Sequence, residues 1–153
     1  MKQVGVLLAV VIVLALSGFA TGVDLIAGQF YEAGWVEANA TRELLVIEIY
    51  AENGWALEET HVYVGTEAPT KSAPGRFPFK HEKLDGAVSD AYVIDLSDYD
   101  VDCSSDLFIA VHAVVYGAEN DYGEETAWGE GDFIRSGKNW AMYFMTPVRC
   151  ETR

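Results

Sequence analysis

The sequence predicts an all-β fold, an antiparallel β-sandwich of immunoglobulin-like or jelly-roll-like type that follows an N-terminal signal peptide. Two observations predict the sandwich. Short runs rich in β-branched and aromatic residues succeed one another along the chain, and each run is closed by Gly, Pro, Asn or Asp. No stretch beyond the N-terminal segment combines a helical period with capping residues.

Seven strands are predicted, at residues 25–31, 35–38, 43–52, 60–65, 91–96, 106–116 and 139–148. In the third of these, Leu45, Ile47 and Ile49 alternate with a half-polar set, so one face of the strand is expected to lie on the core. Residues 108–115 are apolar at both parities, which predicts a central strand that is covered on both faces. The polar segment 66–90 carries three prolines and is expected to be an ordered loop or an edge segment.

The N-terminal segment predicts export. Lys2 precedes an apolar run at residues 4–16 and a stretch of mostly small residues at 17–22. A run of about thirteen apolar residues suits a signal peptide and is short for a membrane span. Cleavage is expected after Gly22, or alternatively after Ala20, and an uncleaved anchor would be the chain's only membrane contact. Residues 1–22 are thus interpreted as signal peptide and residues 23–153 as one secreted, extracellular or cell-surface domain.

The charge of the chain limits its partners. The net charge is −14, and it becomes −15 when Lys2 is removed with the signal peptide. Nucleic acids and anionic lipid surfaces repel such a chain, so neither is an expected partner. Cations are compatible with it, although solubility outside the cell also explains the acidity.

The two cysteines, Cys103 and Cys150, are predicted to form one disulfide, because an even pair in an exported chain is usually oxidised. The bond would tie the C-terminal strand to the rest of the domain. The chain-entropy relation gives such a loop about 4 kcal/mol of stabilisation.

Carboxylates and histidines supply two candidate metal sites. Asp98, Asp100 and Asp102 alternate before Cys103, and Asp106 follows, so these oxygens could bind Ca²⁺ if the backbone curls around the ion; a solvated acidic turn is the alternative. The second candidate site consists of strand histidines with a nearby glutamate, and the alternative is hydrogen-bonded core histidines. Its residues are His61, His112 and either Glu125 or Glu59.

Catalysis is not expected. The sequence has no Ser-His-Asp, HExxH or paired-acid signature, and His81 in the proline-rich segment has no evident partner.

Asn39 begins the single Asn-x-Thr sequon and is a predicted glycosylation site. Trp128 and Trp140 lie near loops, where exposed rings could stack on sugars, while burial in the core is the alternative.

Six ordered blocks together resemble a family of exported bacterial and archaeal β-sandwich surface modules without an assigned activity. The blocks are residues 25–29 (LIAGQ), 59–65 (ETHVYVG), 73–81 (APGRFPFKH), 109–115 (IAVHAVV), 125–131 (ETAWGEG) and 137–144 (GKNWAMYF). The resemblance implies a surface or extracellular role. A looser similarity is to subunits of extracellular filaments, in which an N-terminal strand, here 23–31, is donated to a neighbouring subunit.

We therefore expect a non-enzymatic secreted or cell-surface structural protein that self-assembles into extracellular filaments by edge-strand or donor-strand pairing, or that associates with other surface components. The alternative is an extracellular carbohydrate- or calcium-binding module. No cofactor is required by the first function, and Ca²⁺ is the one cofactor considered for the second.

Overall fold

A computed structural model describes residues 20–150 of the chain, so most of the predicted signal peptide lies outside the described residues. The fold is all-β, as predicted. Residues 20–150 contain ten strands and a short 3-10 turn at Pro74–Arg76. The strands are β1 (Thr21–Ala27), β2 (Tyr31–Thr41), β3 (Leu44–Ala51), β4 (Trp55–Gly65), β5 (Phe79–His81), β6 (Ser89–Asp95), β7 (Asp106–Gly117), β8 (Glu124–Gly129), β9 (Asp132–Phe133) and β10 (Met142–Arg149). No helix in this part of the chain is long and apolar enough to cross a membrane.

The strands form one continuous sheet that folds over into a sandwich. One layer has the order β6-β3-β2-β1 and the other the order β5-β4-β7-β8. Antiparallel pairing of β1 with β8 joins the layers along one side, and β10 pairs with both β7 and β2. These three links close one side of the sandwich. The opposite side is left with β5 and β6 as the outermost strands.

The main core lies between the layers and is built by alternation along the strands. Leu45, Ile47 and Ile49 of β3 are fully buried, which confirms that this strand presents one apolar face to the core. Ile109 and Val111 of β7 contribute to the same core from the other layer. Removing this apolar surface from water is the main stabilising contribution of the fold.

The central strand β7 is covered on both faces, as its sequence predicts. Ala110, on the face away from the main core, belongs to a second, smaller apolar cluster with Phe77, Trp128 and Met142. Phe77 comes from the segment that contains the 3-10 turn, and Met142 comes from the start of β10. The long polar segments therefore fold back over the sheet.

The N-terminal strand is paired within its own chain. β1 pairs with β2 along its whole length, and residues Leu25–Ala27 also pair with β8. The Oγ1 atom of Thr21 lies 2.8 Å from Oγ1 of Thr146 in β10. The expectation that residues 23–31 serve as a donated strand does not fit this arrangement, because their hydrogen-bonding partners lie in the same chain. Signal cleavage after Ala20 would leave β1 complete, whereas cleavage after Gly22 would shorten it by two residues.

Several predicted strand limits are wrong. The predicted strand 25–31 is interrupted at Gly28 and Gln29, where positive φ angles turn the chain from β1 into β2. β4 begins at Trp55 rather than at residue 60, and it passes through an irregularity between Leu57 and Glu59 that interrupts its alternation. β10 begins at Met142 rather than at residue 139.

Gly34 allows β2 and β3 to approach closely. Its φ of +151° is unfavourable for a residue with a side chain, and an added Cβ would collide with the backbone carbonyl of Tyr50 on the neighbouring strand. Only glycine fits this position without displacing the strands.

The predicted disulfide is confirmed. Cys103 and Cys150 are bonded, with their Cα atoms 5.3 Å apart. The bond links the turn before β7 to the residue after β10, and it is compatible with an extracellular protein.

Candidate functional site

The open side of the sandwich forms a groove of about 940 Å³ between β5 and β6. It is lined by Glu48, Tyr50, Pro78, Phe79, Lys80, His81, Ser89, Asp90, Ala91, Tyr92, Val93 and Ile94. Polar and apolar side chains from both layers meet here. We call this region the β5–β6 groove.

Asp90 is the centre of a polar network in the groove. Its carboxylate accepts a hydrogen bond from Oγ1 of Thr60 on β4 and lies 2.9 Å from Nδ1 of His81 on β5. It also accepts the backbone N–H of Ala91 at 2.9 Å. Because a carboxylate only accepts, Nδ1 of His81 donates to Asp90.

Tyr92 also belongs to this network, because it contacts both His81 and Thr60. Its ring stacks on His81 with centroids 4.2 Å apart and planes 4° apart. Its hydroxyl lies 2.7 Å from Oγ1 of Thr60 and donates to the Thr60 carbonyl at 3.1 Å. Burial raises the pKa of Tyr92 to about 12, so the phenol stays protonated and donates.

The hydrogen bonds of this network connect β4, β5 and β6 across the open side of the sandwich. Thr60 is fully buried, and its hydroxyl is shared between Asp90 and Tyr92, so it is not exposed for attack on a substrate. Sequence reasoning missed the network. His81 lies in β5 rather than in a loop, and its partner Asp90 becomes its neighbour only because the two layers fold together.

The outer edge of β6 is unpaired in the described part of the chain, where β6 pairs with β3 alone. The N–H of Leu96 donates to Glu43 next to β3, whereas the N–H of Ala91 turns away from β3 to the Asp90 carboxylate. Because successive backbone groups of a strand alternate in direction, the N–H and C=O of Val93 also point away from β3. The Val93 side chain is 38% exposed.

The two strand histidines are neighbours, as one reading of the sequence required. His61 and His112 occupy opposed positions on β4 and β7, and their Nδ1 atoms lie 3.1 Å apart. The His112 ring packs against Trp128, and Nε2 of His61 lies 3.7 Å from a Glu59 carboxylate oxygen. Burial lowers the pKa of His112 to about 3 and also lowers the pKa of His61. Both rings are therefore neutral at pH 7, and one donates to the other.

Glu125 does not join the two histidines. It lies opposite Val115, three residues further along β7 than His112, and its carboxylate is next to Gly28. Across residues 20–150, no three His, Cys, Asp or Glu side chains are grouped so that they could hold a metal ion. His61 and His112 have the environment of hydrogen-bonded core residues.

The acidic segment before β7 forms hydrogen-bonded turns. The Asp102 carboxylate accepts the backbone N–H of Ser104 at 2.8 Å and its hydroxyl at 2.7 Å, and these hydrogen bonds lower the pKa of Asp102. The structure does not gather Asp98, Asp100, Asp102 and Asp106 around one point. The Asp102 oxygen is used to fix its own turn.

The candidate ligand aromatics are largely buried. Trp128 is 3% exposed and packs between His112 and Phe77, so its ring has no free face for a sugar. Trp140 is half-buried against the same apolar cluster. The long polar segments that fold over β7 cover these rings, which the sequence did not reveal.

Asn39 lies near the end of β2, opposite Val46, and is half-buried. The Thr41 hydroxyl of the sequon accepts the N–H of Leu44 at 3.1 Å in the turn to β3. Glycosylation of Asn39 stays a prediction.

No family model, curated protein or solved structure matches the chain. The resemblance to exported surface modules likewise stays a prediction.

Proposed function

We propose that the protein is a non-enzymatic, exported surface protein that associates with itself through the outer edge of β6. The observation that carries the proposal is the unpaired edge of this strand, which spans seven residues and lies beside the β5–β6 groove. An open edge with free N–H and C=O groups is a template for another strand.

Edge pairing is favoured over donation of the N-terminal strand. β1 has partners on both sides over Leu25–Ala27, and its removal would break one of the links between the two layers. Pairing at β6 needs no rearrangement of this kind. It extends an existing sheet and satisfies backbone groups that otherwise bind water.

The non-enzymatic role is supported by the chemistry of the groove. A hydrolytic triad places a histidine between the carboxylate and an accessible hydroxyl nucleophile. Here the order is different, because Asp90 lies between His81 and Thr60, and the Thr60 hydroxyl is buried. The network stabilises the open side of the sandwich and positions the start of β6.

The charge of the protein sets the conditions for association. At a net charge of −15 after removal of the signal peptide, two copies repel each other over several ångströms. Added salt screens this repulsion, since the Debye length falls from about 10 Å at 0.1 M to about 3 Å at 1 M. Association is therefore expected to strengthen with ionic strength, opposite to the usual response of partners with opposite charges.

The test is the mass of the purified protein in solution as a function of concentration and salt. The full chain would be expressed in a secreting host, the product collected from the medium, and its mass followed by sedimentation velocity. The test variant is Val93→Pro, which removes the outward N–H but leaves the pairing with β3 intact. The matched control is Val93→Thr, which keeps the N–H and the strand propensity.

We expect the wild type and Val93→Thr to associate and Val93→Pro to do so about thirtyfold more weakly, because a symmetric pair loses two backbone hydrogen bonds. A wild-type protein that stays monomeric at millimolar concentration in high salt would overturn the proposal. Equal association of all three proteins would show that the contact lies elsewhere.

A further inference from the structure

We infer that the partner at β6 is a second copy of this chain, paired antiparallel to β6 about a two-fold axis at Tyr92, so that association closes at a dimer. This inference rests on the proposed function, and it adds the register of the strand pair and the number of copies in the assembly. It replaces the open filament expected from the sequence with a closed assembly.

Overlap of the strand with itself favours this register. β6 runs from Ser89 to Asp95, and Tyr92 is its central residue. With Tyr92 on the axis, all seven residues of one copy lie opposite residues of the other. A shift of one hydrogen-bonding step toward either end shortens the overlap.

Side-chain charge supports the same register. The two aspartates of β6 lie near its opposite ends, at positions 90 and 95. In the central register Asp90 lies opposite the partner's Ile94, and Asp95 lies opposite the partner's Ser89, which can donate to it. Larger shifts place Asp95 opposite the partner's Asp95, or Asp90 opposite the partner's Asp90, and like charges in opposed positions destabilise a strand pair.

The direction of the backbone groups and the packing of the side chains also support the register centred on Tyr92. The groups of Ala91 and Val93 that point away from β3 face each other across the axis, as an antiparallel ladder requires. The exposed Val93 side chain then packs beside the small side chain of the partner's Ala91. The Ala91 N–H remains with the Asp90 carboxylate, so Val93 supplies the hydrogen bond between these two residues.

A two-fold contact uses β6 of both copies and leaves no second β6 edge for growth. The other edge strands are short: β9 has two residues, and β5 has three, of which the last, His81, is held by Asp90. Short edge strands are poor templates for pairing. The expected product is a dimer with one sheet running continuously through both copies.

Cysteine cross-linking tests the register. The chain's own two cysteines are already paired, so introduced thiols are the reactive ones. Full-length Ala91→Cys and Val93→Cys proteins would be exported, purified and oxidised separately and as a mixture. Opposed residues of a hydrogen-bonded pair have Cα atoms about 5.5 Å apart, within disulfide range, whereas diagonal neighbours at about 7 to 8 Å are beyond it.

We expect a cross-linked dimer in the mixture and little in either protein alone. Gly123→Cys, in an open loop position away from β6, is the control for collision-driven oxidation. Efficient cross-linking of Val93→Cys alone would place the axis at position 93 and overturn the inferred register while leaving self-association intact. Sedimentation of the wild type at masses above that of a dimer would overturn closure, and an absence of cross-linked dimers together with a monomeric wild type would remove both this inference and the proposed function.

Discussion

The buried histidine pair predicts a measurable loss of stability in mild acid. His112 is 6% exposed, packs against Trp128, and exchanges a hydrogen bond with His61. Burial, followed by the nearby His61, lowers its pKa to about 3 from the ordinary value of 6.5. Between these two values the unfolded chain binds a proton at this position that the folded chain does not.

The size of the effect follows from linkage. Above about pH 6.5 both the folded and the unfolded chain leave His112 neutral, so its titration does not change the unfolding free energy. As the pH falls toward 3, the unfolding free energy decreases by about 1.4 kcal/mol per pH unit in the middle of that range. Lowering the pH from 7.5 to 5.0 should therefore cost about 2 kcal/mol of unfolding free energy through His112 alone. His61, whose pKa is also lowered, adds a loss of the same sign.

Urea unfolding at constant ionic strength measures this loss, with His112→Gln as the comparison because glutamine does not titrate but can hydrogen-bond to His61. Other groups that titrate in this range are common to both proteins, and their contributions cancel in the difference. We expect the stability advantage of the wild type over the variant to fall by about 2 kcal/mol from pH 7.5 to 5.0. A difference that stays constant with pH would show that His112 is not a buried neutral ring.

Three further variants test other parts of the fold by the same unfolding assay. Asp90→Ala should lower the unfolding free energy by about 3 kcal/mol, because it removes the acceptor of the buried Thr60 hydroxyl, of the Ala91 N–H and of His81 Nδ1; a loss below about 1 kcal/mol would mean that the network contributes little. Gly34→Ala should cost about 3 kcal/mol or more, because its Cβ meets the Tyr50 carbonyl, and an unchanged stability would contradict the close approach of β2 and β3. Replacing Cys103 and Cys150 by serine together should cost about 4 kcal/mol, and equal midpoints for oxidised and reduced wild type would contradict a stabilising disulfide.

Local patterns were sufficient to predict the fold class, the central strand and the disulfide. Alternation in β3 and the doubly apolar sequence of β7 are properties of single strands, so they can be read without knowing the neighbours. Cys103 and Cys150 could be paired because the chain has only these two.

The candidate site could not be predicted in the same way. Asp90 and His81 look like surface residues in the sequence, and they meet only because β5 and β6 come from different layers. Trp128 seemed available for a ligand because the burial that covers it comes from Phe77, about fifty residues earlier. Which strand edge stays open depends on the whole topology, and no local pattern carries that information.

Hydrogen exchange at the backbone of β6 tests self-association through this edge most directly. The exported protein would be labelled in deuterated buffer at dilute and at high concentration, and the exchange of each amide followed by NMR. We expect the Val93 amide to exchange freely when dilute and to become protected at high concentration, while the paired amides of β1 stay protected in both. Exchange of Val93 that does not depend on concentration in a protein that otherwise associates would contradict pairing at this edge.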